Sequence, residues 1–227
     1  MDDNIKSYYP WLGSSQQALE IFRKHGRKLL VKKREVIIKC GEPVDKVYCV
    51  SKGSFAYKMT SREGKEIIIG VIRPGVLFGI CPAITKRRGS NSLAVEAREE
   101  AVVYYLNMDE TYRFMLENSA LAIAIMESMG NMIQRLMQQV EALSFKSPRQ
   151  RLLQLLSVLP HIYTDEKSNA LPIKLTHQEM AHLIAVSRVT VSRLMSNFKK
   201  EGLIRVEGRY FFIGQDFRER IKLELND

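Results

Sequence analysis

The chain has few cysteines and no long apolar run. Its three cysteines, Cys40, Cys49 and Cys81, are spaced too irregularly for a disulfide framework or a metal-binding motif. No stretch approaches the roughly 18 apolar residues of a membrane span, and the acidic start lacks the pattern of a secretory signal. These absences predict a cytoplasmic protein with no membrane partner, in which all three cysteines are small buried apolar residues. A redox role for any of them stays open.

Histidine is also scarce, and its distribution excludes one class of enzyme. A cupin-type metal site needs several histidines inside a β-barrel, but residues 41–106 contain none. Gly-x-Ser-x-Gly and P-loop patterns are missing as well. We therefore predict no enzymatic activity, no metal site and no cofactor. Haem is the one cofactor left open, and for each of the four histidines (His25, His161, His177 and His182) a structural or surface role is favoured.

Positive charge is in excess. Lysine and arginine number 35 against 25 aspartates and glutamates, which gives a formal net charge of +10. This balance suits a polyanionic partner such as a nucleic acid. It does not identify one, because many basic proteins bind nothing acidic.

Residues 32–106 break into short β-like runs separated by turn signals. Runs rich in valine, isoleucine and tyrosine alternate with glycines at positions 41, 53, 64, 75 and 79. A spacing of about one turn per strand pair predicts an antiparallel β-roll or barrel. Such an architecture holds a ligand more often than it performs catalysis.

Residues 119–144 contain no proline and a single glycine, and their pattern is helical. Apolar residues recur at steps of three and four, the spacing of a coiled-coil seam. Packing against the β-roll of the same chain is one explanation, but the length of the stripe favours the same helix of a second subunit. The predicted dimer interface consists of Leu121, Ile125, Met129, Met132, Leu136, Val140 and Leu143.

Residues 175–204 have the pattern of two short helices joined by a tight turn. Thr176 and Glu179 form a Thr-x-x-Glu capping box that begins the first helix, and Ser187 can cap the second. The second helix has an apolar face that fits the first helix and an opposite polar face. This arrangement is typical of a helix-turn-helix, in which the second helix enters the major groove of DNA.

The polar face of the second helix carries groups that match base edges. Arginine fits the O6 and N7 acceptors of guanine, and a valine methyl can meet the thymine methyl. We predict that bases are read by Arg188, Val189, Ser192 and Arg193. A solvated surface is the alternative for two arginines on a helix. A β-hairpin with its turn at residues 207–208 follows, as the wing of a winged helix.

The order of β-roll, long helix and winged helix-turn-helix resembles the cyclic AMP receptor/fumarate-nitrate regulator (CRP/FNR) family of bacterial transcription factors. The resemblance spans about residues 30–213 and is most specific in Thr176-x-Gln-Glu-x(7)-Ser-Arg-x-Thr-Val-x-Arg193. It implies an α+β regulator that binds a palindromic double-stranded DNA site as a homodimer, responds to a small-molecule effector, and contacts RNA polymerase if it is an activator. It also implies phosphate contacts at Thr176, Gln178, Ser187 and Thr190, to which the hairpin adds Arg209.

The dipeptide Ser147-Pro148 marks a joint, because proline favours the first turn of a helix and the preceding serine is a natural cap. Together with the resemblance, it divides the chain into three parts. Residues 1–108 are the N-terminal segment and a cyclic-nucleotide-binding-like β-roll effector domain, 109–146 the central dimerisation helix region, and 147–227 the winged helix-turn-helix DNA-binding domain.

Two departures from the family pattern concern the reading head. The glutamate of the cyclic AMP receptor is replaced by Val189, which cannot accept a hydrogen bond from cytosine N4. We therefore expect an A·T pair with its thymine methyl against Val189. The turn glycine of the family is Ala185 here, which costs about 1 kcal/mol if the backbone is strained.

The sensor departs further. Cyclic-nucleotide members hold the phosphate with a glutamate soon after a Phe-Gly turn and with a later Arg-Ser pair. In this chain Ile80 stands in place of the glutamate, and Asn91-Ser92 in place of the Arg-Ser pair. Without that arginine the phosphate loses a charge-assisted pair, so cyclic AMP is not the expected effector. A small apolar or aromatic acid suits a cleft lined by Tyr48, Ile80, Lys86, Arg87, Asn91, Leu93, Met132, Leu136 and Met137. A solvated loop is the alternative for the basic run at 86–88.

Other sensors of the family remain alternatives. An N-terminal iron–sulfur cluster is not expected, because no cysteine precedes Cys40. A redox- or haem-based sensor, or a DNA-binding protein that needs no ligand, stays open. An effector-dependent affinity for DNA would separate these readings. The sequence does not identify the effector, the promoters, or activation as against repression.

Overall fold

The computed structural model describes residues 15–81, 93–158, 170–171, 175–207 and 210–213, together with residues 217, 220, 223 and 224. The chain divides into two compact units, one over Pro10–Leu136 and one that includes Met137–Asp227. Within the described ranges, none of the helices combines the length and the apolar character that crossing a bilayer requires. The three-part division at residues 108 and 146 stays a prediction.

The first unit is built on two four-stranded antiparallel sheets. Helix α1 (Gln16–His25) precedes eight strands, which are β1 (Arg27–Val31), β2 (Val36–Ile38), β3 (Lys46–Lys52), β4 (Phe55–Thr60), β5 (Glu66–Ile72), β6 (Leu77–Phe78), β7 (Ala94–Ala97) and β8 (Ala101–Asn107). The order is β1-β8-β3-β6 in one sheet and β2-β7-β4-β5 in the other. The predicted antiparallel β-roll is confirmed.

Strand β3 buries both of its faces. Tyr48 and Val50 belong to the core between the two sheets, whereas Val47 and Cys49 belong to a second core beneath the helices. Successive side chains of a strand point to opposite faces, so one strand can supply both cores. Tyr48 stacks on Phe78 with ring centroids 4.9 Å apart.

Gly79, directly after β6, lies where two backbones approach closely. Its φ is +78°, and a Cβ atom there would lie 2.4 Å from the carbonyl oxygen of Lys46. Only glycine fits this combination of left-handed backbone and close contact. The glycine of the Phe-Gly turn is therefore required by the packing of the roll, whatever ligand the roll holds.

The prediction that all three cysteines are buried is wrong for two of them. Cys49 is buried, and burial raises the pKa of its thiol to about 12. Cys40 and Cys81 are exposed. Cys40 follows the end of β2 and Cys81 follows β6, where the backbone leaves the sheet. The irregular spacing of the cysteines carried no information about this exposure.

Two helices follow the last strand of the roll, α2 (Met108–Glu117) and α3 (Ser119–Phe145). The start of the predicted dimer stripe on α3 is wrong, because Leu121 and Ile125 are fully buried in the core with α1 and β3. Met129 packs against that same core and Met132 against the interior of the roll. Packing on the same chain, the alternative explanation of the stripe, therefore holds for this half of it.

The second unit contains the paired short helices. Helix α4 (Pro148–Val158) is followed by β9 (Ala170–Leu171), α5 (His177–Leu183), α6 (Arg188–Lys200), β10 (Ile204–Glu207) and β11 (Tyr210–Ile213). The strands form one antiparallel sheet in the order β10-β11-β9. The predicted helix-turn-helix and hairpin are confirmed, and β9 adds a third strand that the sequence analysis did not predict.

The predicted caps fix where α5 and α6 begin. The Thr176 side chain accepts from the backbone N–H of Glu179, whose carboxylate accepts in return from the Thr176 backbone. Ser187 accepts from the N–H of Thr190 at 3.1 Å. Between the helices Ala185 has a φ of +54°, in the left-handed region, so the strain expected at this position is present.

We expect Ala185→Gly to raise the free energy of unfolding by about 0.5–1 kcal/mol. Left-handed backbone costs a residue with a Cβ about 1–2 kcal/mol, and part of the gain is offset by the greater freedom of an unfolded glycine. Denaturant unfolding of the full chain measures the difference. Ala181→Gly, in the right-handed backbone of α5, is the control and should lower stability by about 2 kcal/mol, because it combines the helix cost of glycine with the loss of a buried methyl group. A less stable Ala185→Gly protein would contradict the prediction.

Candidate nucleic-acid interface

Helix α6 has one buried face. Its apolar side chains Val191, Leu194, Met195 and Phe198 are buried, as are Met180, Ala181 and Leu183 of α5. This is the packing that the sequence predicted for the two helices. Because a helix that buries one face turns the other outward, the packing determines which side chains of α6 meet solvent.

The outward face carries most of the predicted base-reading residues. Arg188 and Arg193 are both exposed. Between them Val189 is 77% exposed, which leaves an apolar side chain in solvent beside two guanidinium groups. Neither arginine is buried, so both remain able to meet base edges in a groove.

The hydroxyl of the fourth predicted reading residue, Ser192, already has a protein partner. Its Oγ lies 2.9 Å from Nδ1 of His177, the first residue of α5. Both side chains are half-buried. The sequence favoured only a structural or surface role for His177. It gave no sign of the contact with Ser192, because no local signal connects two side chains 15 residues apart on different helices.

The predicted phosphate-contacting residues lie at the starts of α5 and α6. Thr176, Gln178 and Ser187 are exposed and Thr190 is half-buried. The Ser187 hydroxyl also bonds to that of Thr190 at 2.8 Å. The start of α6 combines backbone N–H groups with the positive end of the helix dipole, a combination that favours an anion. Arg209 lies outside the described residues.

The other end of α6 is held by Arg149 of α4. Its guanidinium donates two hydrogen bonds to Glu201, at 2.6 and 2.9 Å, and two more to Glu224, both at 2.9 Å. The same group lies over the ring of Phe198, 4.9 Å from its centroid. Hydrogen bonds to Glu224 and Glu201 raise the pKa of Arg149, and the hydrogen bond from Arg149 lowers the pKa of Glu201. Partners 52 and 75 residues away gave the sequence analysis no signal.

The predicted effector-pocket residues that the structure describes do not form one cluster. Tyr48 lies in the core of the roll, and Leu93 and Met132 pack against that core. Ile80 belongs instead to the separate core beneath the helices. Grouping Ile80 with Tyr48 was therefore wrong, because residues near each other in a strand or turn can face opposite sides of a sheet. Leu136 and Met137 are exposed. Lys86, Arg87 and Asn91 lie outside the described residues.

The interior of the roll also contains phenol groups. Burial raises the pKa of Tyr48 to about 12. It raises the pKa of Tyr57 to about 12 as well, and a backbone hydrogen bond from Gly79 opposes this shift in part. The burial of Tyr57 could not be predicted from the sequence, since tyrosine is intermediate between buried and exposed residue types.

The described residues offer no ready site for a metal ion. No three side chains from His, Cys, Asp and Glu lie together there as a possible ligand set. The ring of His25 packs against Phe114 with centroids 5.0 Å apart, and His177 and His182 lie on α5. His161 lies outside the described residues.

Both units match known domain families. Residues 28–118 match the cyclic nucleotide-binding domain, and residues 150–217 match the Crp-like helix-turn-helix domain. The matches cover the roll with α2 in the first unit, and the region from α4 through the hairpin in the second. Their order along the chain is the one that the sequence resemblance implied.

Similar proteins match across most of the chain. The global nitrogen regulator of Synechococcus elongatus is 23% identical over 207 residues, 90% of each chain. Electron transport regulator A of Shewanella oneidensis is 26% identical over 82% of this chain and 74% of its own. The c-di-GMP responsive global regulator CLP of Xanthomonas campestris shares the fold, with a TM-score of 0.77, 16% identity and coverage of 88% of this chain and 99% of its own.

These relatives and the two domain matches agree with the architecture. A β-roll of cyclic-nucleotide-binding type precedes a helix-turn-helix whose reading helix is exposed on its basic face. The chain belongs to the CRP/FNR family of DNA-binding transcription regulators, with a cyclic-nucleotide-binding-like sensory domain.

Proposed function

We propose that the protein is an effector-responsive regulator that binds a palindromic DNA site as a homodimer and reads each half-site with α6. The observation that carries the proposal is the exposed triad of Arg188, Val189 and Arg193 on a helix whose opposite face is buried. Such a helix presents a fixed pattern of groups to the major groove. A solvated basic surface would not need an exposed valine between its arginines.

The chemistry of the triad gives the expected half-site. Each arginine can donate two hydrogen bonds to O6 and N7 of a guanine, which no other base accepts in the same way. Val189 offers only methyl groups, so it favours a thymine methyl and gives no acceptor for cytosine. Thr176, Gln178, Ser187 and Thr190 would fix the register on the phosphates without reading sequence.

Selection from a random double-stranded DNA library, followed by competition binding, tests this reading. We expect wild type to enrich one palindromic site, and Arg188→Ala and Arg193→Ala each to cost about 1–3 kcal/mol of discrimination. Val189→Glu should shift the preference at its base pair from A·T towards cytosine, since a carboxylate accepts from N4.

Lys200→Ala is the matched control, because it removes a positive charge from the far end of the same helix. It should weaken binding to all sequences about equally and leave the preference unchanged. Equal affinity of wild type for the selected site and for random DNA, at moderate salt, would contradict the proposed function.

The proposed dimer forms through the outward face of α3, which keeps the exposed Leu136, Val140 and Leu143 of the predicted stripe but not its buried first half. Ile133 is 56% exposed and Met137 is 67% exposed. The outward apolar residues again recur at steps of three and four, the spacing that a second parallel copy of the helix would cover. Gly130, where an added Cβ would meet nothing within 4 Å, lies in the same row. The row consists of Ile123, Met126, Gly130, Ile133, Met137 and Val140, with Leu136 and Leu143 beside it.

We expect Ile133→Glu to raise the dissociation constant of the dimer about a hundredfold. Symmetry places two unpaired carboxylates in the interface, at a cost of about 3 kcal/mol or more. Sedimentation equilibrium measures the effect. Leu116→Glu is the matched control, since Leu116 is 73% exposed on α2 and outside the row, and this variant should remain dimeric. A dimeric Ile133→Glu protein would place the interface elsewhere.

The proposed effector is a small apolar or aromatic acid, and not cyclic AMP. Support comes from the aromatic side chains of Tyr48 and Phe78 in the roll, and from the missing phosphate-binding arginine in the sequence. The exposure of Cys40 and Cys81 keeps a thiol-based sensor as the second candidate. Cys49 fits that role poorly, because a thiol with a pKa of about 12 is not ionised at neutral pH.

Thermal unfolding with candidate effectors separates these proposals. A ligand present at a hundredfold its dissociation constant stabilises the native state by about 2.7 kcal/mol, which raises Tm by several degrees. We expect aromatic acids to raise Tm, and cyclic AMP and haem to leave it unchanged. A rise with cyclic AMP would contradict the proposal. An oxidant effect lost in a Cys40→Ser, Cys81→Ser variant would support the thiol sensor instead.

A further inference from the structure

The contact between His177 and Ser192 joins the two helices at the reading surface. His177 is the first residue of α5, and its Nδ1 lies 2.9 Å from Oγ of Ser192 on α6. Ser192 lies one turn after the exposed Arg188 and directly before the exposed Arg193. The hydroxyl that the histidine holds is therefore part of the face that would meet base edges.

Other contacts also hold the two helices in place. The start of α5 is already fixed by the capping box of Thr176 and Glu179. The packing of α5 on α6 comes from buried apolar side chains, such as Met180 against the face that contains Val191. The contact between His177 and Ser192 adds a directional constraint on one hydroxyl group.

That constraint limits what the hydroxyl can offer to DNA. A serine hydroxyl has one proton and two acceptor lone pairs, and a free one rotates to suit its partner. If Ser192 donates its proton to Nδ1, its oxygen can only accept from a base. If Nδ1–H donates to the oxygen, the proton remains available to a base acceptor. In both cases the ring nitrogen removes part of the freedom of the hydroxyl.

We propose that His177 is a positioning residue for base recognition, which holds the Ser192 hydroxyl in one orientation and so restricts the base accepted at one base pair of each half-site. This inference rests on the proposed reading of DNA by α6. In the major groove, adenine N6 and cytosine N4 donate, whereas guanine O6, guanine N7 and thymine O4 accept. A hydroxyl that can only accept pairs with the first set, and one whose proton is directed at the base pairs with the second. A freely rotating hydroxyl pairs with both.

The test compares His177→Ala, His177→Asn, Ser192→Ala and the double variant His177→Ala, Ser192→Ala. Sites are selected from a random double-stranded DNA library, and relative affinities are then measured for all four bases at each position. Ser192→Ala identifies the base pair that the hydroxyl meets. We expect His177→Ala to reduce the ratio between the best and worst base at that pair by about two- to tenfold, the size of one net hydrogen bond.

Two further comparisons separate positioning from a general loss of structure. His177→Asn should retain most of the ratio, because its amide places a polar atom near the position of Nδ1. In the Ser192→Ala protein, His177→Ala should have no further effect on base preference, since the hydroxyl is already gone. The matched control is His182→Ala, which removes the other histidine of α5, one that bonds to Gln178 of its own helix. It should leave the ratio unchanged.

Unchanged base preference at that pair in His177→Ala would overturn the inference, as would an equal effect of His177→Ala with and without the hydroxyl. A uniform loss of affinity at all positions, accompanied by a lower Tm, would also overturn it, because that result marks a purely structural residue. Wild type that selects no site at all would instead overturn the proposed function on which the inference rests.

Discussion

Burial of one face of α6 against α5 is the constraint on which the DNA-binding surface depends. Once Val191 and Phe198 are buried, helical geometry turns Arg188 and Arg193 towards solvent. The caps fix where the two helices begin, and the left-handed backbone at Ala185 allows the turn between them to be short. The proposed reading surface is thus a consequence of apolar packing and local capping.

Polar contacts refine what the packing establishes. At the end of α6, the guanidinium of Arg149 joins α4 to Glu201 and Glu224, which limits how the helix can tilt. Near its start, the contact of His177 with Ser192 limits how one hydroxyl can turn. The first contact fixes the position of a helix and the second the orientation of a single group. Both kinds of order reduce the entropy that DNA binding would otherwise cost.

The central helix α3 has two apolar faces, one buried in the first unit and one exposed. Leu121 and Ile125 are buried beneath the roll, while Ile133 and Met137 face outward. The first half of the helix therefore shares a core with the strands of the sensory domain. An effector that changed the packing of the roll would therefore act directly on this helix.

The sequence by itself determined the features that depend on a few neighbouring residues. The capping box of α5, the Ser187 cap of α6, the apolar face of α6 and the hairpin of the wing were all predicted, because each is encoded within one or two turns of chain. The tertiary structure alone decided which surface covers an apolar face and which distant groups meet. It buried Leu121 in its own protomer, exposed Cys40 and Cys81, and brought His177 to Ser192. Periodicity shows that a face is apolar, whereas only the packing of distant segments decides what lies against it.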